Sequence, residues 1–221
     1  MNRRLGVLTI GQSPRVDVVP AIAEMLPGVE IVEAGALDGL AEAEIAALAP
    51  TPGEYVLVTR LRDGRDAVIS RERVLPHVQQ TLAQLGPAVD LLLFLCTGEF
   101  PALRSDRLII EPSRVLLHFV AGVAGGRPLG VLVPLPEQAG EAERRWRRAV
   151  ERVAAAAAAS PYRDPDFTRA AHRLRDAGAE IIVMDCMGYT PAQKRQVVAA
   201  CALPTILAGT AVAAVARELL S

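Results

Sequence analysis

The sequence predicts an α/β protein built from two similar domains with mostly parallel sheets, and three observations predict it. Short apolar runs alternate with helical patterns, the rhythm of βαβ units. Hydrophobic residues make up 51% of the 221 residues but aromatics only 4%, so the core is assembled from Ala, Val, Leu and Ile, which suits packed α/β layers. The third observation is repetition: the stretch LGVL occurs at Leu5–Leu8 and again at Leu129–Leu132, and LFLCTGEF is echoed later by VMDCMGY.

Taken in order, the apolar runs place strands at 5–10, 29–34, 54–60, 89–95, 107–110, 129–134, 180–185 and 204–207. Helical patterns fall at 14–25, 39–48, 71–85, 113–123, 138–150, 166–177, 191–201 and 209–220. Three of these helices carry start signals. Ser13 with Pro14 opens the first, Ser113 the fourth, and Thr190-Pro191 with Gln193 forms a capping box for the seventh. The segment VAAAAAA at 153–159 is ambiguous, because alanine favours helix whereas the βα rhythm requires a strand before SPYRDP; a strand is the expectation.

Both repeated stretches recur in the same order, which makes an internal duplication the natural reading. Leu5 to Cys96 is a longer interval than Leu129 to Cys186, so the first half carries an extra unit. No low-complexity linker divides the halves. Gly125, Gly126 and Pro128 interrupt the pattern just before the second LGVL, and the last helix is expected to return to the first half. The expected division is residues 1–112 with 205–221 as one Rossmann-like domain and 113–204 as the other, pseudo-twofold related, with a cleft between them.

Charge and composition narrow the function. With 24 basic and 25 acidic residues and a formal net charge of -1, no stripe of one sign exists for nucleic acid. No apolar run approaches the ~20 residues of a membrane span, and the start is too short for a secretion signal. Three cysteines without a CxxC pair point to reduced thiols in the cytoplasm. His77, His118 and His172 fall on predicted helices without metal-ligand spacing, so neither a zinc site nor a Cys-His protease is expected. There is no Walker loop and no GxSxG elbow. Nothing fixes the oligomeric state, and a homodimer stays open.

Ligands bind outside the carboxyl ends of strands in open α/β sheets, and Cys96 and Cys186 both fall there. If the halves face one another, the two thiols approach a common cleft from opposite sides. One thiolate then abstracts a proton from a carbon while the other thiol donates to the opposite face. A free thiol is mostly protonated at neutral pH, and backbone N–H groups beyond each cysteine would favour the thiolate. The alternative for each is a small buried hydrophobe, and that is the reading for Cys201 within VVAACALP.

Other candidates gather at strand ends. Gln12, Ser13 and Arg15 in TIGQSPR form either an ordinary capped helix or an anion-binding one. Arg60 is a carboxylate partner or simply solvated. Thr97 and Gly98 follow the first cysteine, while Met187, Gly188 and Tyr189 follow the second; Tyr189 lines a pocket or packs. Ser160 and Tyr162 face the site if 153–159 is a strand. Glu111 and Arg114 in EPSR read as an ion pair.

The stretches LTIGQSPR, LCTGEF, EPSR, ASPY, MDCMGY and LPTILAGTAVAAVARELL together resemble the AroM family nearly end to end. That family is similar to the aspartate/glutamate racemase superfamily, which includes hydantoin racemases, maleate isomerases and arylmalonate decarboxylases. The resemblance implies two α/β domains with a cleft, and cofactor-independent chemistry on a small carboxylate metabolite with one cysteine from each domain, here Cys96 and Cys186. The superfamily typically carries Cys-Asn-Thr at the first position and Gly-Cys-Thr or Gly-Cys-Ala at the second. This chain has Cys96-Thr97-Gly98 and Asp185-Cys186-Met187. A racemase or isomerase is therefore expected, with a single-cysteine decarboxylase or cis-trans isomerase, or a non-catalytic metabolite binder, as alternatives.

Overall fold

A computed structural model describes residues 3–101, 103–163 and 166–221. Asp164 and Pro165 of the SPYRDP stretch lie outside the described residues, as do Met1, Asn2 and Ala102. The chain divides into two compact units, Met1–Pro112 with Ala213–Ser221, and Ser113–Val212.

The first unit runs β1 (Arg4–Thr9), α1 (Val19–Ala23), β2 (Glu30–Gly35), α2 (Glu42–Ala47), β3 (Val56–Arg60), β4 (Asp66–Ser70), α3 (Arg71–Leu85), β5 (Leu91–Phe94) and β6 (Ile109–Ile110). Strands β1, β2, β5 and β6 form a parallel sheet in the order β2-β1-β5-β6. β5 is buried throughout, as a strand covered on both faces must be. α3 buries Val74, Val78, Leu82 and Leu85, one stripe at helical spacing, and Ser70 caps it by accepting from the Arg73 N–H.

After α4 (Pro112–Ala124) the second unit continues through β7 (Leu129–Val133), α5 (Ala139–Trp146), β8 (Val153–Ala158), α6 (Phe167–Asp176), β9 (Ile181–Met184), α7 (Pro191–Cys201), β10 (Thr205–Leu207) and α8 (Ala208–Leu220). Its parallel sheet has the order β10-β9-β7-β8. The alanine run forms β8: pairing with β7 and burial of Ala156 and Ala157 override alanine's helix propensity.

The repeated sequence becomes repeated register. Leu5, Gly6, Val7 and Leu8 stand opposite Leu91 to Phe94, and Leu129, Gly130, Val131 and Leu132 stand opposite Ile181 to Met184. Each ladder then gains one more rung, Leu95 N–H to the Leu8 carbonyl at 2.7 Å and Asp185 N–H to the Leu132 carbonyl at 2.8 Å. The two glycines do the same work. A Cβ on Gly6 would stand 2.9 Å from a methyl of Leu92 and 3.1 Å from one of Leu85, and a Cβ on Gly130 would stand 3.0 Å from the Ala179 Cβ and 3.2 Å from the Leu174 Cβ. In both units a helix therefore lies close on the central strand. Gly130→Ala meets atoms near the backbone that cannot swing aside, so it is expected to destabilise the protein by about 1–3 kcal/mol in urea unfolding.

Four expectations need correction. The anticipated extra unit in the first half contains an antiparallel hairpin, β3 with β4, where only one strand was expected. The helix foreseen at 14–25 is only Val19–Ala23, because the backbone from Gln12 to Arg15 is held by side chains of other segments. α2 and α5 are also shorter than their patterns, α5 starting after a 3-10 turn at Pro136–Gln138. Finally, the second crossing falls later than residue 205: β10 pairs with β9, which keeps 205–212 in the second unit. No helix among the described residues is long and apolar enough to cross a membrane.

Candidate active site

Each cysteine sits two residues beyond the end of a central strand, on a turn of the same design. The Gly98 N–H points at the Cys96 sulfur at 3.3 Å, and the Gly188 N–H points at the Cys186 sulfur at 3.3 Å. A thiolate accepts such a bond more strongly than a thiol does. Cys96 is buried, Cys186 is half-buried, and neither is in a disulfide. Cys201 is different: its thiol donates to the Val197 carbonyl inside α7.

The glycines of these turns are there for close approach. A Cβ on Gly188 would lie 2.2 Å from the Tyr162 hydroxyl, and one on Gly98 would lie 2.9 Å from a methyl of Leu57 and 3.6 Å from the Tyr55 ring. A tyrosine ring thus packs beside each cysteine turn. Tyr162 reaches Gly188 from the connection after β8, where the Ser160 hydroxyl accepts from the N–H groups of Tyr162 and Arg163. Tyr55, just before β3, carries the Arg71 guanidinium over its ring at 4.4 Å, and Arg71 also donates to the Glu99 carbonyl. Sequence patterns did not mark Tyr55 or Arg71.

Beyond β1, Gln12 and Ser13 are held in a clasp. Asp38 accepts from the Ser13 N–H at 2.7 Å, the Ser13 hydroxyl at 2.6 Å, the Gly35 N–H at 2.7 Å and Arg62 at 3.1 Å. Gln12 donates to the Leu37 carbonyl and accepts from the Arg62 N–H, tying the hairpin to the loop. Ser13 therefore caps no helix. Arg15 is buried, forms two bonds to Asp17 and one to the Thr9 hydroxyl, and its N–H donates to Glu33. Arg60 stands opposite Asp66 in the hairpin, with its guanidinium near Gly64 at the turn. Thr97 and Met187 are buried on the turns.

Tyr189 closes the second turn as a strut. Its hydroxyl donates to the Ala159 carbonyl at 2.8 Å and its ring meets Phe167 edge-on at 5.9 Å. Burial pushes this phenol well above the usual tyrosine value, with further upward contributions from Cys186, Asp185 and Tyr162. Because the folded phenol stays protonated where the unfolded one ionises, its contribution to stability is complete below about pH 10 and is lost as pH rises towards the folded value. Urea unfolding across that range should show the loss, and Tyr189→Phe should make it shallower.

The feature least visible in the sequence lies just before Cys186. Asp185 is buried, and one oxygen of its carboxylate accepts from Arg145 and from the Trp146 ring N–H, the latter at 2.8 Å. Both partners belong to α5, where Ala142, Arg145 and Trp146 make the buried stripe. An acidic residue ending the apolar run IIVMD is the one available signal, since an acid there requires a partner. Among the described residues no group of three or more His, Cys, Asp or Glu is arranged to hold a metal ion.

A family model described as AroM protein matches residues 5–220. No curated protein matches the sequence. Several solved structures share the fold. Allantoin racemase from Pseudomonas fluorescens is 16% identical with a TM-score of 0.65, the match covering 98% of this chain and 90% of that one. The maleate isomerase Iso from Pseudomonas putida S16 is 14% identical with a TM-score of 0.65, over 99% and 92% of the two chains. Unliganded arylmalonate decarboxylase is 12% identical with a TM-score of 0.60, over 99% and 93%.

Proposed function

The chain belongs to the AroM family, and we propose that it is a cofactor-independent racemase or isomerase of a small carboxylate compound, with Cys96 and Cys186 as the proton-transferring pair. The observation that carries this reading is the matched turn: in each unit a cysteine sulfur, two residues past the corresponding strand, accepts from the N–H of the glycine two residues further on. Structural neighbours of this fold that catalyse racemisation, isomerisation and decarboxylation support the class of chemistry.

In the proposed reaction one thiolate removes the proton from a carbon beside a carbonyl, leaving an enolate-like intermediate. The opposing thiol returns a proton to the other face. One sulfur ends protonated and the other as thiolate, so charge is conserved and proton exchange with water resets the pair. Thr97, Gly98, Gly188, Ser160 and Tyr162 line the substrate in this reading, with Gln12 and Ser13 contributing from the clasped loop. Arg15, Met187 and Tyr189, which are buried, back the site in this reading, and Arg60 is a further candidate contact.

The test is proton exchange in heavy water with allantoin, maleate and an arylmalonate as starting probes, followed by extension to other 2-substituted carboxylates. Deuterium is expected at the carbon beside the carbonyl of a converted compound. Exchange that persists in both Cys96→Ala and Cys186→Ala contradicts the reading. One observation favours a second reading, a single-cysteine decarboxylase or cis-trans isomerase: the residue before Cys186 is the buried, ion-paired Asp185, whereas Leu95 precedes Cys96. Full activity in one variant and none in the other would select it.

A further inference from the structure

The two cysteine turns share a hydrogen-bond design but not their anchors. Leu95, before Cys96, is an apolar core residue. Asp185, before Cys186, turns its carboxylate to α5, where Arg145 and the Trp146 ring N–H hold it in a buried cluster. Cys186 itself packs with the other core, which contains Phe167, Leu174, Tyr189 and Val197. Consecutive residues of an extended chain point to opposite faces, so Asp185 grips one side of the sheet while the sulfur is offered on the other.

We propose that Asp185, pinned by Arg145 and Trp146, is a positioning residue for Cys186, and that this neutralised anchor lets the Cys186 thiolate form beside a carboxylate. The anchor acts through the backbone. Asp185 is fixed on one side by its ladder bond to Leu132 and by the α5 cluster; four residues on, the Tyr189 N–H donates to the Cys186 carbonyl and the Tyr189 hydroxyl is tied to Ala159. Between these two fixed points the chain can only present the Gly188 N–H to the sulfur. Arg145 has a second effect. It balances the Asp185 charge, which would otherwise oppose a thiolate on the next residue.

The ionisable groups around the turn are Asp185, Arg145 on α5, Tyr162 on the connection after β8, and Tyr189. The residues that α6 and α7 bury, Phe167, Ala170, Ala171, Leu174, Val197 and Cys201, bring no charge. Before Cys96 the corresponding residue is Leu95, and that turn instead has Arg71 over the Tyr55 ring. This inference rests on the reading that Cys186 reacts with substrate, but its test uses no substrate, so the two fail separately.

The test is the pH dependence of iodoacetamide alkylation, resolved for each cysteine by peptide mass spectrometry on the folded full chain. Arg145→Met should slow Cys186 near neutral pH by about tenfold or more, a shift of about one unit or more in its midpoint, and leave Cys96 unchanged. Trp146→Phe, which removes one hydrogen bond, should shift Cys186 in the same direction by less, and Arg145→Lys should recover part of the native profile. The proposal is overturned by an unchanged Cys186 profile in folded Arg145→Met and Trp146→Phe. Equal slowing of Cys96 overturns it too. If Arg145→Met does not fold, the Trp146→Phe profile decides alone.

Discussion

Alanine at Cys96 or at Cys186 is expected to lower racemisation or isomerisation by about 10²–10⁴-fold, the range a positioned acid or base contributes to proton transfer. In the proposed mechanism each sulfur has its own task, one removing and one returning the proton, so neither variant keeps the full reaction in either direction. The loss should appear in kcat/KM. Cys201→Ala is the control: that thiol is bonded to the Val197 carbonyl within α7 and should leave the rate unchanged.

Arg145→Met carries the largest expected effect on stability. The Arg145 and Asp185 side chains are 5% and 2% exposed, and removing the guanidinium leaves a buried carboxylate with only the Trp146 N–H among the two bonds described for it. Breaking a buried pair in this way costs about 3–5 kcal/mol. The comparison is Arg127→Met, which breaks a pair whose side chains are 66% and 53% exposed. Solvent screening limits that loss to about 1 kcal/mol or less. Urea unfolding monitored by Trp146 fluorescence in Arg127→Met, and by circular dichroism in both, should separate the two by several kcal/mol.

What could be read from the chain alone follows from where the information lies. Parallel strands buried on both faces are near-continuous apolar runs, so β1, β5, β7 and β9 were legible, and the LGVL repeat announced their common register. Those runs also put Cys96 and Cys186 just past strand ends, which is where they lie. β4 was missed although Asp63-Gly64 is a hairpin signal, for the flanking Arg62, Arg65 and Asp66 mask the apolar alternation. The first helix was overextended because Ser13-Pro14 imitates a cap, whereas the Ser13 hydroxyl serves Asp38, far along the chain. Asp38, Arg62, Arg145 and Trp146 act through pairings between distant segments, and Arg144 on α5 and Arg147 and Arg148 just beyond it have the same local sequence character as Arg145. Only the fold selects which of them meets Asp185.

The central claim is that two thiols, not one, handle the proton, and the most direct measurement is the isotopic content of both stereoisomers at early times in heavy water. A racemised compound is the required probe, and it should be sampled before a few per cent has turned over. With separate acid and base, the proton removed stays on one sulfur while the other delivers deuterium, so product is labelled and recovered substrate is not. Deuterium appearing equally in recovered substrate and product at that stage would mean that a single group serves both faces, and would contradict the account.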